Sequence, residues 1–171
     1  MMKLVQAMKQ IKDLVAKAEG LRAKVAANSA TLSIETPAYV DQKAQIREWL
    51  QAHHDVLKEV ERLRVAIQRT NIDTEVTIEI AGNIISKPLA AWIHRRRDLA
   101  RLERDAWSGL TDRGLKEQNV QTATGGPITE IRIVRHFSSS ERDKNVETYR
   151  SEPSVIDGTL EIVNAVTDLK E

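Results

Sequence analysis

IREWLQAHHDVLKEVERLRVAI, residues 46–67, is the stretch on which the fold turns. Within it Ile46, Trp49, His53, Val56, Val60, Leu63 and Ile67 recur at alternating steps of three and four, the heptad pattern of a helix that buries one stripe against another helix. His53 is the polar exception in that seam, where a polar residue can fix register or oligomeric state at some cost in stability. Drawn from Ala38 to Asn71, the helix rises about 1.5 Å per residue to roughly 50 Å, longer than a small core can cover. A second apolar stripe has to lie alongside it, from this chain or from another copy.

The sequence on the N-terminal side supplies one. From Met2 to about Asn28, Leu4, Met8, Ile11, Val15, Ala18 and Val25 step by fours and threes, Arg22 takes the one polar slot, and Leu14 and Leu21 widen the stripe. The expectation is a long antiparallel helical hairpin. Between its arms, Leu32 and Ile34 alternate with polar residues over Thr31–Thr36 before Pro37, which predicts a short half-buried strand.

On the C-terminal side, Val76, Ile78 and Ile80 alternate with Glu75, Thr77 and Glu79, and Ala81-Gly82-Asn83 offers turn chemistry before Ile84-Ile85, so a β-hairpin is expected. Ser86-Lys87-Pro88 reads as the cap and first turn of a third helix, with Leu89, Trp92, Ile93, Leu99, Leu102, Ala106 and Leu110 on one face and an end by Gly114. Gln118–Pro127 lacks periodicity and carries Gly125-Gly126-Pro127, a flexible connection. Ile128–Phe137 reads as a strand with Ile131, Ile133 and Phe137 on one face. A helix from near Ser140 should reach Ser151, where Glu152-Pro153 forces a break or a new start before Ile156, Leu160, Val163 and Val166. The fold class that results is α+β, predominantly α: a helical hairpin plus a third helix, a small antiparallel sheet and a C-terminal helix. Residues 1–117 form the helical core with its hairpin, and 118–171 a connection, strand and helix docked on the same unit.

Composition narrows the function. With 26 Lys and Arg against 25 Asp and Glu, the chain has no global field to draw in nucleic acid or an anionic membrane. Apolar residues at 41% suffice for a core, and 30% charged residues suit a helical surface. The absence of cysteine excludes disulfides and cysteine-ligated metals and fits a reducing compartment. The N-terminus lacks the apolar block of a signal peptide, and the longest apolar run, Leu89 to Ile93, falls far short of the roughly 20 residues of a membrane span. A cytoplasmic protein, or one assembled in a particle, is expected.

Several strings, in order, resemble the septicolysin-like family of uncharacterised bacterial and phage proteins: Gln68-Arg69-Thr70-Asn71 closing the helical pair, Arg96-Arg97-Asp98-Leu99, Thr148-Tyr149-Arg150, and Asn164-Ala165-Val166-Thr167-Asp168-Leu169. The chain departs from that pattern at Ile72-Asp73 and Ala81-Gly82-Asn83, where a longer acidic-glycine turn is expected, and at Ser151-Glu152-Pro153-Ser154. The resemblance implies a fold and an association with phage; it implies no catalytic residue.

No residue set anchors catalysis, a cofactor or a metal, and the protein is read as a non-enzyme. His53 and His54 are neighbours whose side chains diverge by about 100° on a helix, unlike the i, i+4 pair of a zinc helix. Glu59 with Arg62 and Glu61 with Arg64 already have helix partners at spacing three, Ser138–Ser140 reads as a cap, and Gly125-Gly126 lacks the lysine of a phosphate loop. The densest basic segment, Arg95, Arg96, Arg97 and Arg101, is the candidate phosphate contact, although Asp98, Glu103 and Asp105 interleave with it and aromatics are 4% of the chain, few for base stacking. Trp49, His53, Trp92, Ile131, Ile133 and Phe137 are the candidate interface residues. The leading reading is a homo-oligomeric structural or assembly protein with itself, or other virion or assembly proteins, as partner. Its contacts would use the long helices and a strand from Gln118–Phe137 added to a neighbour's sheet. A nucleic-acid-associated regulator using the basic third helix is the alternative, and an unidentified hydrolase the third.

Overall fold

A computed structural model describes residues 1–121 and 124–170. The fold is α+β and mostly helical, with two small antiparallel sheets. Helix α1 (Leu4–Ala27) packs on α2 (Gln42–Asp73). The Asp41 side chain caps α2 by accepting from the Ala44 amide at 2.8 Å, later than the start expected at Ala38, and Gln42 donates to the Asn28 carbonyl at the end of α1. The seam of α2 falls as its spacing demands: Trp49, Val56, Val60 and Leu63 are buried, while Leu50 and Leu57 lie outside it and are exposed.

Thr31–Thr36 forms no strand, contrary to the alternation there. Leu32 and Ile34 are 64% and 90% exposed, and the segment satisfies its backbone locally instead, with the Leu32 amide donating to the Glu35 carboxylate and the Glu35 amide to the Leu32 carbonyl, each at 2.9 Å. A side chain that offers the backbone a nearby partner competes with sheet pairing.

Strand β1 (Glu75–Ile80) alternates as expected, Val76, Ile78 and Ile80 buried and Glu75, Thr77 and Glu79 exposed, and it pairs with β2 (Asn83–Pro88). Ala81 and Gly82 both take positive φ, 49° and 81°, as a tight hairpin turn requires. Ser86-Lys87-Pro88 belongs to β2 and is not a helix cap; proline is tolerated at a strand end because no ladder donor is needed there. The helix starts at Leu89, whose amide donates to the Thr74 carbonyl at 2.8 Å.

That helix is α3 (Leu89–His94), a π-helical turn over Arg95–Leu99, and α4 (Ala100–Ser108), and it ends at Gly109, before Gly114. Leu89 and Trp92 are buried as expected, but beyond the π turn Ala100 is buried while Leu99 and Leu102 are 42% and 52% exposed. The wider turn holds about one extra residue, so the apolar face after it moves one position along the chain.

Gln118–Pro127 is not a structureless connection. Strand β3 (Gln118–Gln121) pairs with β4 (Ile128–Ile131), Gln118 opposite Ile131 and Gln121 opposite Ile128; Thr122 and Ala123 lie outside the described residues. All eight strand residues are exposed, so no burial pattern marks β3 in the sequence. Strand β4 stops at Ile131 and does not run to Phe137. Four residues on, Arg135 makes a two-pronged bond to Asp112 at 2.6 Å.

The break expected at Glu152-Pro153 is absent too: α5 runs unbroken from Ser139 to Val166 with Pro153 inside. Proline deprives the Tyr149 carbonyl of its donor, a cost of about 3 kcal/mol in a helix interior. Glu152 and Ile156, on either side of it, are 3% and 0% exposed, and their packing offsets that cost.

The chain groups into two units that interleave along the sequence: Met1–Val76 with Pro88–Ala90 and the stretch from Leu160 onward, and Thr77–Lys87 with Ala91–Thr159. In the first, the two ends of the described chain are clasped. The Leu169 amide donates to the Met2 carbonyl, the Leu4 amide to the Thr167 carbonyl, and Lys3 pairs with Asp168 at 2.8 Å. That lysine holds the Asp168 carboxyl below the usual range. Among the described residues no helix is long and apolar enough to cross a membrane.

Candidate functional site

The second unit holds the most organised cluster of charged side chains. At the first residue of the π turn, Arg95 reaches the residue that precedes Pro153 in α5. Its Nε and Nη2 donate to Oε1 and Oε2 of Glu152, each at 2.7 Å. The two side chains are 17% and 4% exposed, so this two-pronged pair is largely withdrawn from water, and the hydrogen bonds to Glu152 raise the Arg95 pKa above its usual range. Glu103 approaches the same guanidinium at 3.7 Å, and the Tyr149 ring lies 5.6 Å from it. Two helical irregularities of the unit, the π turn and the internal proline, thus meet at one largely buried ion pair.

The pair forms part of the wall of a cleft of about 350 Å³. Lys87 from β2 and Lys144 from α5 also line it, as do Trp92, Asn145 and Thr148. Lys87 Nζ sits 5.4 Å from the centroid of the Trp92 ring, within cation–π range. With three cations and one carboxylate on its wall, the cleft favours an anionic group over a neutral or cationic one. Its lining includes no histidine.

The structure disperses the arginines proposed for phosphate. Arg95 is committed to Glu152, Arg96 pairs with Asp157, Arg97 contacts His94 Nδ1 at 3.1 Å and Asp98 at 3.6 Å, and Arg101 pairs with Asp105 at 3.2 Å. Each has an acidic partner, and the basic run is electrically compensated.

The candidate interface residues divide by burial. Trp92 is 1% exposed within its own chain. Trp49 is also buried, with Tyr39 edge-on at 5.3 Å, and His53 is half-buried on the same face of α2. Ile131 is 46% exposed, while Ile133 and Phe137 are half-buried, Phe137 beneath the Arg142 guanidinium at 5.6 Å. Sequence reasoning missed Glu152, Lys144 and Lys87 as members of one site. Glu152 carried a signal, a carboxylate on the apolar spacing that continues through Ile156 and Leu160, but the adjacent proline masked it. Among the described residues no group of three His, Asp or Glu is placed to hold a metal ion. Compared with protein-family models, curated proteins and solved structures, the chain has no match.

Proposed function

We propose that this protein is a homo-oligomeric structural or assembly component, built on the helical hairpin of α1 and α2 together with the third helix α3–α4, and that further copies of itself are its partner. One observation carries the reading: the surface left open. The accessible area is 12350 Å² for 19.3 kDa. A compact monomer of that mass exposes about 8,500 Å², and even two separate compact bodies of half the mass would expose only about 10,000 Å² together. Part of the excess is apolar and ordered along α2, where Leu50, Leu57, Val65 and Ile72 are 39% to 63% exposed on a face turned away from the buried seam. Recurring at steps of seven and eight, with the exposed polar residues His54, Glu61 and Gln68 between them, they lie along one face that a second helix could cover. The phage particle as a setting rests on the septicolysin-like resemblance alone. The regulator and hydrolase readings have less support, since the arginines are acid-paired and the cleft's lining includes no histidine.

The test is solution mass. Light scattering at high micromolar concentration is expected to give a multiple of the chain mass, and the double variant Leu50→Glu/Leu57→Glu should lower it while far-UV circular dichroism keeps the helical signal. A wild-type chain that stays monomeric under those conditions ends this proposal.

A further inference from the structure

The exposed hairpin β3–β4 supplies a second and more specific contact. We infer that the outer edge of β4 pairs with the β4 edge of a second copy about a two-fold axis at Ile131; this rests on the oligomeric reading above and deepens it.

Backbone direction comes first. In an antiparallel ladder, alternate residues direct their N–H and C=O groups to opposite edges. The Ile133 amide donates to the Glu117 carboxylate at 3.4 Å, towards the β3 side. By alternation Thr129 and Ile131 also address β3, and the backbone groups of Glu130 and Arg132 address the open edge. Since β3 and β4 form a two-stranded sheet, no strand among the described residues lies beside that edge. Two strands alone are marginal in water, and an added strand is the general remedy.

The side chains then choose the partner and the register. Residues 128–134 read Ile-Thr-Glu-Ile-Arg-Ile-Val, which is self-complementary when reversed about Ile131. Antiparallel pairing centred there, which extends β4 from its end at Ile131 to Val134, sets Glu130 opposite the partner's Arg132, Arg132 opposite the partner's Glu130, and Ile128 opposite the partner's Val134. Centring on Glu130 or Arg132 instead sets like charges opposite each other, which destabilises a ladder. Only the Ile131 register therefore combines outward-facing backbone groups with opposite charges. It also covers Ile128, Ile131 and Val134, now 67%, 46% and 73% exposed. Glu130 and Arg132 already bond each other at 2.6 Å on this surface, so pairing extends that contact into a four-charge network.

The absence of cysteine makes the test clean. Ile131→Cys places one thiol on the axis, in a non-hydrogen-bonded pair whose Cα atoms lie about 4.5 Å apart, within disulfide range. Thr129→Cys places its two thiols about four residues apart along the ladder, roughly 13 Å. Mild oxidation is expected to give a covalent dimer of Ile131→Cys at least tenfold faster than of Thr129→Cys. Glu130→Arg should raise the dissociation constant of this contact about tenfold, and Glu130→Arg/Arg132→Glu should restore it. If wild type is oligomeric but both thiols cross-link alike and Glu130→Arg leaves the mass unchanged, the strand contact is wrong and the wider assembly reading stands. A monomeric wild type removes both.

Discussion

Glu152→Ala is expected to lower the unfolding free energy by roughly 3 kcal/mol, because it takes the two-pronged partner from an Arg95 guanidinium that is only 17% exposed and leaves it Glu103 at 3.7 Å. The loss measures an orphaned charge and not the worth of the pair. Replacing both partners with apolar residues, Arg95→Met/Glu152→Leu, should therefore recover most of it. Urea denaturation followed by circular dichroism distinguishes the two. The double variant separates this account from one in which Glu152 merely fills space, since on that account its loss would add to that of the single change. A single variant within 1 kcal/mol of wild type would show that water reaches Arg95 after all.

Trp92→Ala should cost about as much, roughly 3–5 kcal/mol, for a different reason: it removes one of the largest wholly buried side chains and leaves a cavity. The same change frees Lys87, which lies over that ring. As Trp92 and Glu152 belong to the same unit, both substitutions should weaken the same unfolding transition. Trp92 stood in the sequence as a candidate interface residue, and its burial inside the chain reverses the expected phenotype. Its loss should lower the midpoint of denaturation, whereas the changes at Leu50 and Leu57 should lower the mass. A Trp92→Ala protein of unchanged midpoint and reduced mass would mean that the tryptophan serves an interface.

What could be read from the sequence depended on how strictly each segment obeyed one period. The seam of α2 and the alternation of β1 were legible because a single face of each is buried and nothing interrupts the step. The face of the third helix was legible only up to His94. Counting by threes and fours then landed on Leu99 and Leu102, because a π turn changes the step without changing the kind of residue used. Strand β3 was illegible for the opposite reason, since no face of Gln118–Gln121 is buried and no pattern had to be kept. At the candidate site, the arginine run drew attention to Arg95 but assigned it to an external phosphate. The carboxylate it bonds lies 57 residues away, next to a proline, a separation that local spacing rules do not reach.

The π turn also bears on how this chain can vary over time. A helix with one surplus residue keeps two faces in phase that a regular helix would set about 100° apart. Removing one residue from Arg96–Leu99 would restore regular winding and leave Ala100 on its buried side, whereas regular winding with no residue removed would rotate it away. Exchange of one exposed arginine for another polar residue there leaves the winding alone. The segment is thus the place in this helix where the loss of one residue leaves the buried face after it in phase, while the same loss from Ala100–Ser108 would put that face out of step.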